Sequence, residues 1–328
     1  LSELKRAFLA DLDNGQGKLR IISKDGIILH FLKFKVPAYG LAVDLGTTKI
    51  AAYLVDLETK NVVSKTSSPN PQIRYGEDVI SRILFCMENE DGIHTMQNLI
   101  VTTINSLIKQ MCEEVLAEPD HIIEAVVVGN TAMHHFFAGL PVRQLGLSPY
   151  TPAVTQSMNL KPSEIGLTVS SNALIYLPEN IAGYVGGDHV AMVVATKAFE
   201  AQDIVLALDI GTNTEISLVH DGKIYTCSCA SGPAFEGAHI QDGMRAADGA
   251  IERVSIEDDQ LFLSTIGGKK PIGICGSGIL DVIAEMRKSG IIDERGNFDN
   301  KNQHVRGSGK NTEFILVDGE ASGSTRDI

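Results

Sequence analysis

The feature that most constrains this 328-residue chain is a short segment that occurs twice. Leu41-Ala42-Val43-Asp44-Leu45-Gly46-Thr47-Thr48 returns as Leu206-Ala207-Leu208-Asp209-Ile210-Gly211-Thr212-Asn213, identical at five of eight positions and offset by 165 residues. Apolar alternation up to an Asp, then Gly with hydroxyl or amide residues, then a second alternating run, reads as strand, tight turn and strand. Each copy continues in the same way. Strands 50–56 and 61–67 follow the first, with a polar turn at 57–60; strands 215–220 and 223–229 follow the second, across Asp221-Gly222. A repeated three-stranded meander predicts two like domains.

The turn carries chemistry as well as shape. Gly46 and Gly211 allow backbone N–H groups to approach an oxygen closely, and Thr47, Thr48, Thr212 and Asn213 add side-chain donors. Asp44 and Asp209 end the strands, where a carboxylate can hold magnesium through water, because that ion keeps much of its shell. This is not the P-loop pattern, in which GxxxxGK[ST] opens a helix. One copy alone reads equally well as an ordinary hairpin; two copies favour a pair of phosphate clamps.

Between the copies the pattern alternates strands and helices. Met96, Leu99, Ile100, Ile104, Leu107, Ile108 and Met111 recur at three- and four-residue spacing, predicting a helix over 92–116. Strands are expected at 125–128 and 173–177, with helices running to Phe137 and over 188–199. Residues 1–38 read as a small α+β piece: a helix over 1–12, a Gly-rich turn, and strands at 19–22 and 27–34. The expected organisation is this end of a small middle or linker domain, a first subdomain over 39–200 and a second over 201–328, incomplete at its C-terminus.

Composition narrows the partners. A formal net charge of −13 argues against nucleic acid or an anionic membrane, both of which need a basic face. No apolar run approaches the roughly 20 residues that span a bilayer, and no signal peptide precedes Glu3, Lys5 and Arg6. The five scattered cysteines fit reduced thiols in a cytoplasmic protein.

Longer strings then bring in a family. They are 39–48, the segment Asn70-Pro71-Gln72-Ile73-Arg74-Tyr75-Gly76-Glu77-Asp78-Val79-Ile80-Ser81-Arg82, residues 127–135 from Val127 to His135, Gly232 to Ile240, Gly243 to Ala247, and Ile274-Cys275-Gly276-Ser277-Gly278. Through the duplicated hairpins the chain resembles the actin-like (ASKHA, ribonuclease H-like) ATPases, whose duplicated domains hold mixed sheets flanked by helices. Through the longer strings it resembles one branch, the reductive activators of corrinoid proteins. That resemblance implies ATP and magnesium as ligands, and an ATPase coupled to electron transfer that takes a corrinoid protein from Co(II) to Co(I). The partner it implies is a corrinoid protein or a corrinoid methyltransferase component; a homodimer is kept among the expectations. The iron–sulfur cluster of the family is expected on a domain outside this chain. A small-molecule kinase of the same superfamily and a nucleotide-dependent actin-like scaffold stand as alternatives.

The resemblance also sets individual expectations. Glu179 and Asp188 fall where the superfamily places its interdomain connecting helix, so either can face magnesium or the attacking water, or simply support a helix N-terminus. Glu236 is the preferred catalytic carboxylate of the second domain, beside Asp44, Asp209 and Glu179. Gly276-Ser277-Gly278 opens an amphipathic helix and is either an anion site or a tightly packed helix start. Lys49, where a third Thr is common, can reach a phosphate or stay solvated; Thr214 replaces the Gly usual after the second Asn. Arg74, Asp78 and Arg82 fit an ion-pair ladder as well as a cleft role. His134 and His135 point about 100° apart on a helix, which favours packing or a partner surface over a metal. Cys227 and Cys229 share one side of a strand and are expected to be buried thiols.

Overall fold

The computed structural model describes residues 19–24, 26–33, 35–211, 213–232, 237 and 240–328. The helix expected over 1–12, its Gly-rich turn, Thr212 and Glu236 lie outside the described residues. The chain divides into two compact units, 1–207 with 216–227, and 208–215 with 228–328.

In the first unit, β1 (Leu19–Lys24) and β2 (Ile27–Lys33) form an antiparallel pair. The repeated segment begins as β3 (Tyr39–Leu45), followed by β4 (Lys49–Asp56) and β5 (Val62–Pro69). Helices α1 (Val79–Glu88) and α2 (Gly92–Val115) come next, then β6 (Ile122–Gly129) and α3 (Thr131–Ala138). After β7 (Met158–Leu160), the single turn α4 (Pro162–Ile165) and β8 (Leu174–Leu177) comes α5 (Gly187–Thr196). The strands form one six-stranded mixed sheet in the order β5-β4-β3-β6-β8-β7. The meander β3-β4-β5 is antiparallel, and β3, β6 and β8 run parallel.

The core of this unit lies between the sheet and α2. Leu41, Val43 and Leu45 of β3 and Ile50, Ala52 and Leu54 of β4 join Met96, Ile100, Ile104, Ile108 and Met111 in one buried cluster. Each of these Leu, Val, Ile and Met side chains contributes roughly 2 kcal/mol when fully buried. The helix ends on Leu116, which takes a left-handed conformation (φ 56°), while α3 ends on Gly139 at φ 67°, a geometry only glycine adopts without strain. α1 is shorter than the Arg74–Arg82 spacing suggests. Arg74 sits in a separate 3-10 turn, Gly76 breaks the path, and Asp78 caps α1 by accepting from the Ser81 N–H at 2.8 Å. The ladder is therefore not formed: Arg74 is exposed and Arg82 is buried.

The second copy of the repeat forms β9 (Val205–Ile210), β10 (Asn213–His220) and β11 (Lys223–Ala230), a three-stranded sheet ordered β11-β10-β9 whose residues are shared between the units. One face packs on α5: Val205, Ala207 and Val219 meet Met192, Val193 and Ala198. On the other, Leu206, Leu208 and Ile210 are 57%, 49% and 46% exposed, although their counterparts Leu41, Val43 and Leu45 are buried. Cys227 and Cys229 are exposed rather than buried, on a strand most of whose side chains are left uncovered.

The second unit continues with β12 (Ala250–Glu257), β13 (Gln260–Thr265), β14 (Gly273–Ile274), α6 (Gly276–Lys288), and the short pair β15 (Val305–Arg306) and β16 (Glu313–Phe314). Its sheet runs β13-β12-β14, with β14 parallel to β12. α6 packs on β12 through Ile279, Val282 and Met286, while Leu280 and Ile283 are exposed. Among the described residues no helix is long and apolar enough to cross a membrane.

Candidate functional site

In the first unit, the parallel strands β3, β6 and β8 bring three carboxyl ends to one edge of the sheet, where open α/β sheets place ligands. The β3 end carries Asp44, exposed, and the turn Gly46-Thr47-Thr48. β6 ends at Gly129-Asn130, and β8 leads into Pro178-Glu179-Asn180. Asp44 and Glu179, two of the expected catalytic residues, thus lie at the same edge. Glu179 is exposed and accepts from the Tyr176 hydroxyl at 3.4 Å.

The turn itself is held from behind. A Cβ on Gly46 would lie 2.6 Å from the Lys49 carbonyl oxygen, so the turn closes only with glycine there. Asn70 donates through Nδ2 to the Gly46 carbonyl at 2.9 Å, and its backbone N–H donates to the Thr48 carbonyl at 2.9 Å. Asn130 donates through Nδ2 to Thr47 Oγ1 at 3.1 Å while its Oδ1 caps α3 by accepting from the Met133 N–H at 3.0 Å. Arg82 donates through Nη2 to the Thr47 carbonyl at 2.7 Å. Thr47 is buried and Lys49 is exposed.

The loop after β8 returns to this edge. Thr131 Oγ1 donates to the Ala182 carbonyl at 2.6 Å, and a Cβ on Gly186 would lie 2.4 Å from the Gly129 carbonyl oxygen. That contact fixes the start of α5 against the end of β6. Asp188 stands in the first turn of α5, where its Oδ1 accepts from the His189 N–H at 2.8 Å; a carboxylate there supports the helix dipole.

In the second unit, Asp209 ends β9 and Gly211 donates its N–H to the Asn213 carbonyl at 3.2 Å. A Cβ on Gly211 would meet only that carbonyl oxygen, at 3.4 Å, so this turn is less crowded than the first. Glu215 is the residue that sequence reasoning missed. It is 7% exposed, accepts from Ser228 Oγ at 2.9 Å, and its carboxyl is held above the ordinary range by burial, with the Asp209 charge acting the same way. The signal was present: strand alternation puts Glu215 with Ser217 and Val219 on the inward face, where an acid is unexpected.

In Gly276-Ser277-Gly278 the last glycine is closely packed: a Cβ there would lie 2.3 Å from the Ile251 carbonyl oxygen. Ser277 is exposed at the start of α6, 3.4 Å from Cys275 Sγ. His134 and His135 are both buried and serve packing rather than a partner surface. His135 donates from Nδ1 to the Thr131 carbonyl at 2.7 Å and accepts at Nε2 from the Ala153 N–H at 3.0 Å, which fixes one neutral tautomer. Among the described residues no group of three or more His, Cys, Asp or Glu side chains is gathered for a metal.

The family profile described as the RACo middle region matches residues 39–200, and that of the C-terminal domain of RACo, the ASKHA domain, matches 203–328. The corrinoid activation enzyme RamQ of Eubacterium limosum is 34% identical over 287 residues, covering 87% of this chain and 48% of that protein. The Co(II) methylated amine-specific corrinoid protein reductase of Methanosarcina barkeri is 28% identical over 291 residues, covering 78% of this chain and 52% of that protein. A solved structure of a reductive activator for corrinoid, iron-sulfur protein superposes with a TM-score of 0.81 and 38% identity, over 94% of this chain and 50% of its own. The chain spans about half the length of the curated relatives it matches. The mixed α/β architecture and these matches agree, and the chain belongs to the family of reductive activators of corrinoid proteins, matching its middle region and its C-terminal ASKHA domain.

Proposed function

We propose that this chain supplies the nucleotide-binding part of an ATP-dependent activator that returns a corrinoid protein from Co(II) to Co(I). The observation that carries the reading is the glycine-dependent turn at 46–48, held by Asn70, Arg82 and Asn130 at the carboxyl edge of parallel strands, and repeated in sequence at 211–213. In this proposal Gly46, Thr47, Thr48, Gly211, Thr212 and Asn213 bind phosphate oxygens. Asp44 and Asp209 hold magnesium through water, with Glu179 and Glu236 as further carboxylates near the hydrolysed bond. The names of the relatives, a corrinoid activation enzyme and a corrinoid protein reductase, support the substrate class.

The residues present fit phosphate and a hydrated cation, but not an iron–sulfur cluster. Cys86 and Cys112 lie on separate helices and burial raises both thiols, Cys86 to about 11, whereas a cluster needs several converging thiolates. The electron donor is therefore assigned to residues or a chain other than those described. The test is reconstitution of the full-length protein with a Co(II) corrinoid protein, a reductant, magnesium and nucleotide, followed by the visible spectrum of the corrinoid. Co(I) should form with ATP and fail to form with ADP or a non-hydrolysable analogue. Reduction at equal rate without nucleotide would overturn the proposal.

A further inference from the structure

Arg82 is an unusual residue to find 0% exposed in the middle of α1. Among the described residues no carboxylate oxygen lies within ion-pairing distance of its guanidinium. Its donors go to neutral acceptors. Nε donates to the Gly76 carbonyl at 2.9 Å, Nη1 to Gln72 Oε1 at 3.2 Å with Met133 Sδ at 3.7 Å, and Nη2 to the Thr47 carbonyl at 2.7 Å and the Glu77 carbonyl at 3.4 Å. Gln72 is itself 0% exposed and passes the chain on, donating to the Met96 carbonyl of α2 at 3.1 Å. Asp78, capping the same helix, acts on the guanidinium only through space and offsets part of the effect of burial, which still lowers its pKa to about 10. A buried cation without a direct ion pair is costly, and a further negative charge would relieve it.

The geometry says where that charge would come from. A trans peptide points its C=O and the next N–H in opposite directions. With the Thr47 carbonyl drawn inward by Arg82 and the Gly46 carbonyl by Asn70, the N–H groups of Thr48 and Thr47 are turned to the side opposite their anchors. A charge-assisted bond to a carbonyl also polarises its peptide, making the N–H a better donor.

We propose that Arg82 is a positioning residue for polyphosphate binding: from behind the turn it fixes the 46–48 backbone and supplies the positive charge that a bound phosphate chain feels through the turn's amides. This rests on the nucleotide reading above and adds to it a residue that does not touch the ligand. Lysine would keep the charge but lose the fork that spans Thr47, Gly76 and Gln72, so the two parts of the role separate by substitution.

Calorimetric titration of the full-length protein with ATP, ADP and AMP in magnesium tests this, using wild type, Arg82→Met, Arg82→Lys and Gly46→Val, with circular dichroism and thermal unfolding reporting the fold. Arg82→Met should weaken ATP on the order of ten- to a hundredfold, with a smaller factor for ADP and the smallest for AMP. Arg82→Lys should recover part of the ATP affinity and keep the graded response to phosphate number. Wild-type ATP affinity in a folded Arg82→Met or in Arg82→Lys, with Gly46→Val lost, would overturn the role of Arg82. An equal loss for all three nucleotides would reduce it to a structural one and equally overturn the proposal. Absence of nucleotide binding by the wild type would instead overturn the nucleotide reading itself.

Discussion

His134 shows what burial does to a single titratable side chain. Neither ring nitrogen has a partner among the described residues, and burial, with a smaller effect from His135, lowers its pKa from 6.5 to about 4. Between those values the unfolded chain binds a proton that the folded chain refuses, so stability falls as pH drops from about 6.5 to 4 and is fully regained above 6.5. The shift corresponds to an effect on the order of 3 kcal/mol across that window. Urea unfolding at a series of pH values, wild type against His134→Phe, isolates it: the difference between the two curves should slope with pH, and parallel curves would contradict the assignment. Glu215 behaves in the opposite sense. Its carboxyl titrates above the ordinary range, so the folded protein loses stability as pH rises through that shifted value.

At the scale of elements, the end of α2 is a site of local strain. Leu116 is 94% exposed and left-handed, so its side chain contributes little packing while its Cβ opposes the backbone. Leu116→Gly should stabilise the protein by about 0.5–1 kcal/mol, visible as a raised urea midpoint with an unchanged slope. A lowered midpoint would show that Leu116 makes a contact worth more than the strain. The elements were largely legible from pattern: the apolar spacing of Met96 to Met111 gave α2, and alternation gave β3 to β5 within two residues. What pattern could not give was the interruption before α1. Asp78 and Arg82, four apart, look like a surface ion pair; the break at Gly76, whose Cβ would lie 2.4 Å from Ser81 Cβ, makes one a cap and sends the other inward. Burial of a charged side chain depends on which partners fold over it, and Thr47, Gln72 and Met133 come from three different segments. The candidate turn, in contrast, was legible because its chemistry is local and the chain states it twice.

For the whole molecule, the repeat has unequal fates. In the first unit Leu41, Val43 and Leu45 are sealed beneath α2, whereas Leu206, Leu208 and Ile210 stand 57%, 49% and 46% exposed on one face of β9. A strand that shows water a row of branched aliphatic side chains is a liability for solubility, and a net charge of −13 opposes it only at low salt. Purified alone, residues 1–328 should therefore brighten an apolar-surface dye such as anilinonaphthalene sulfonate and scatter light as salt is raised. Leu206→Lys with Leu208→Glu should suppress both signals, and no change would place the sticky surface elsewhere. The same three residues make this strand a place where handling, storage and crystallisation of the isolated chain can be improved.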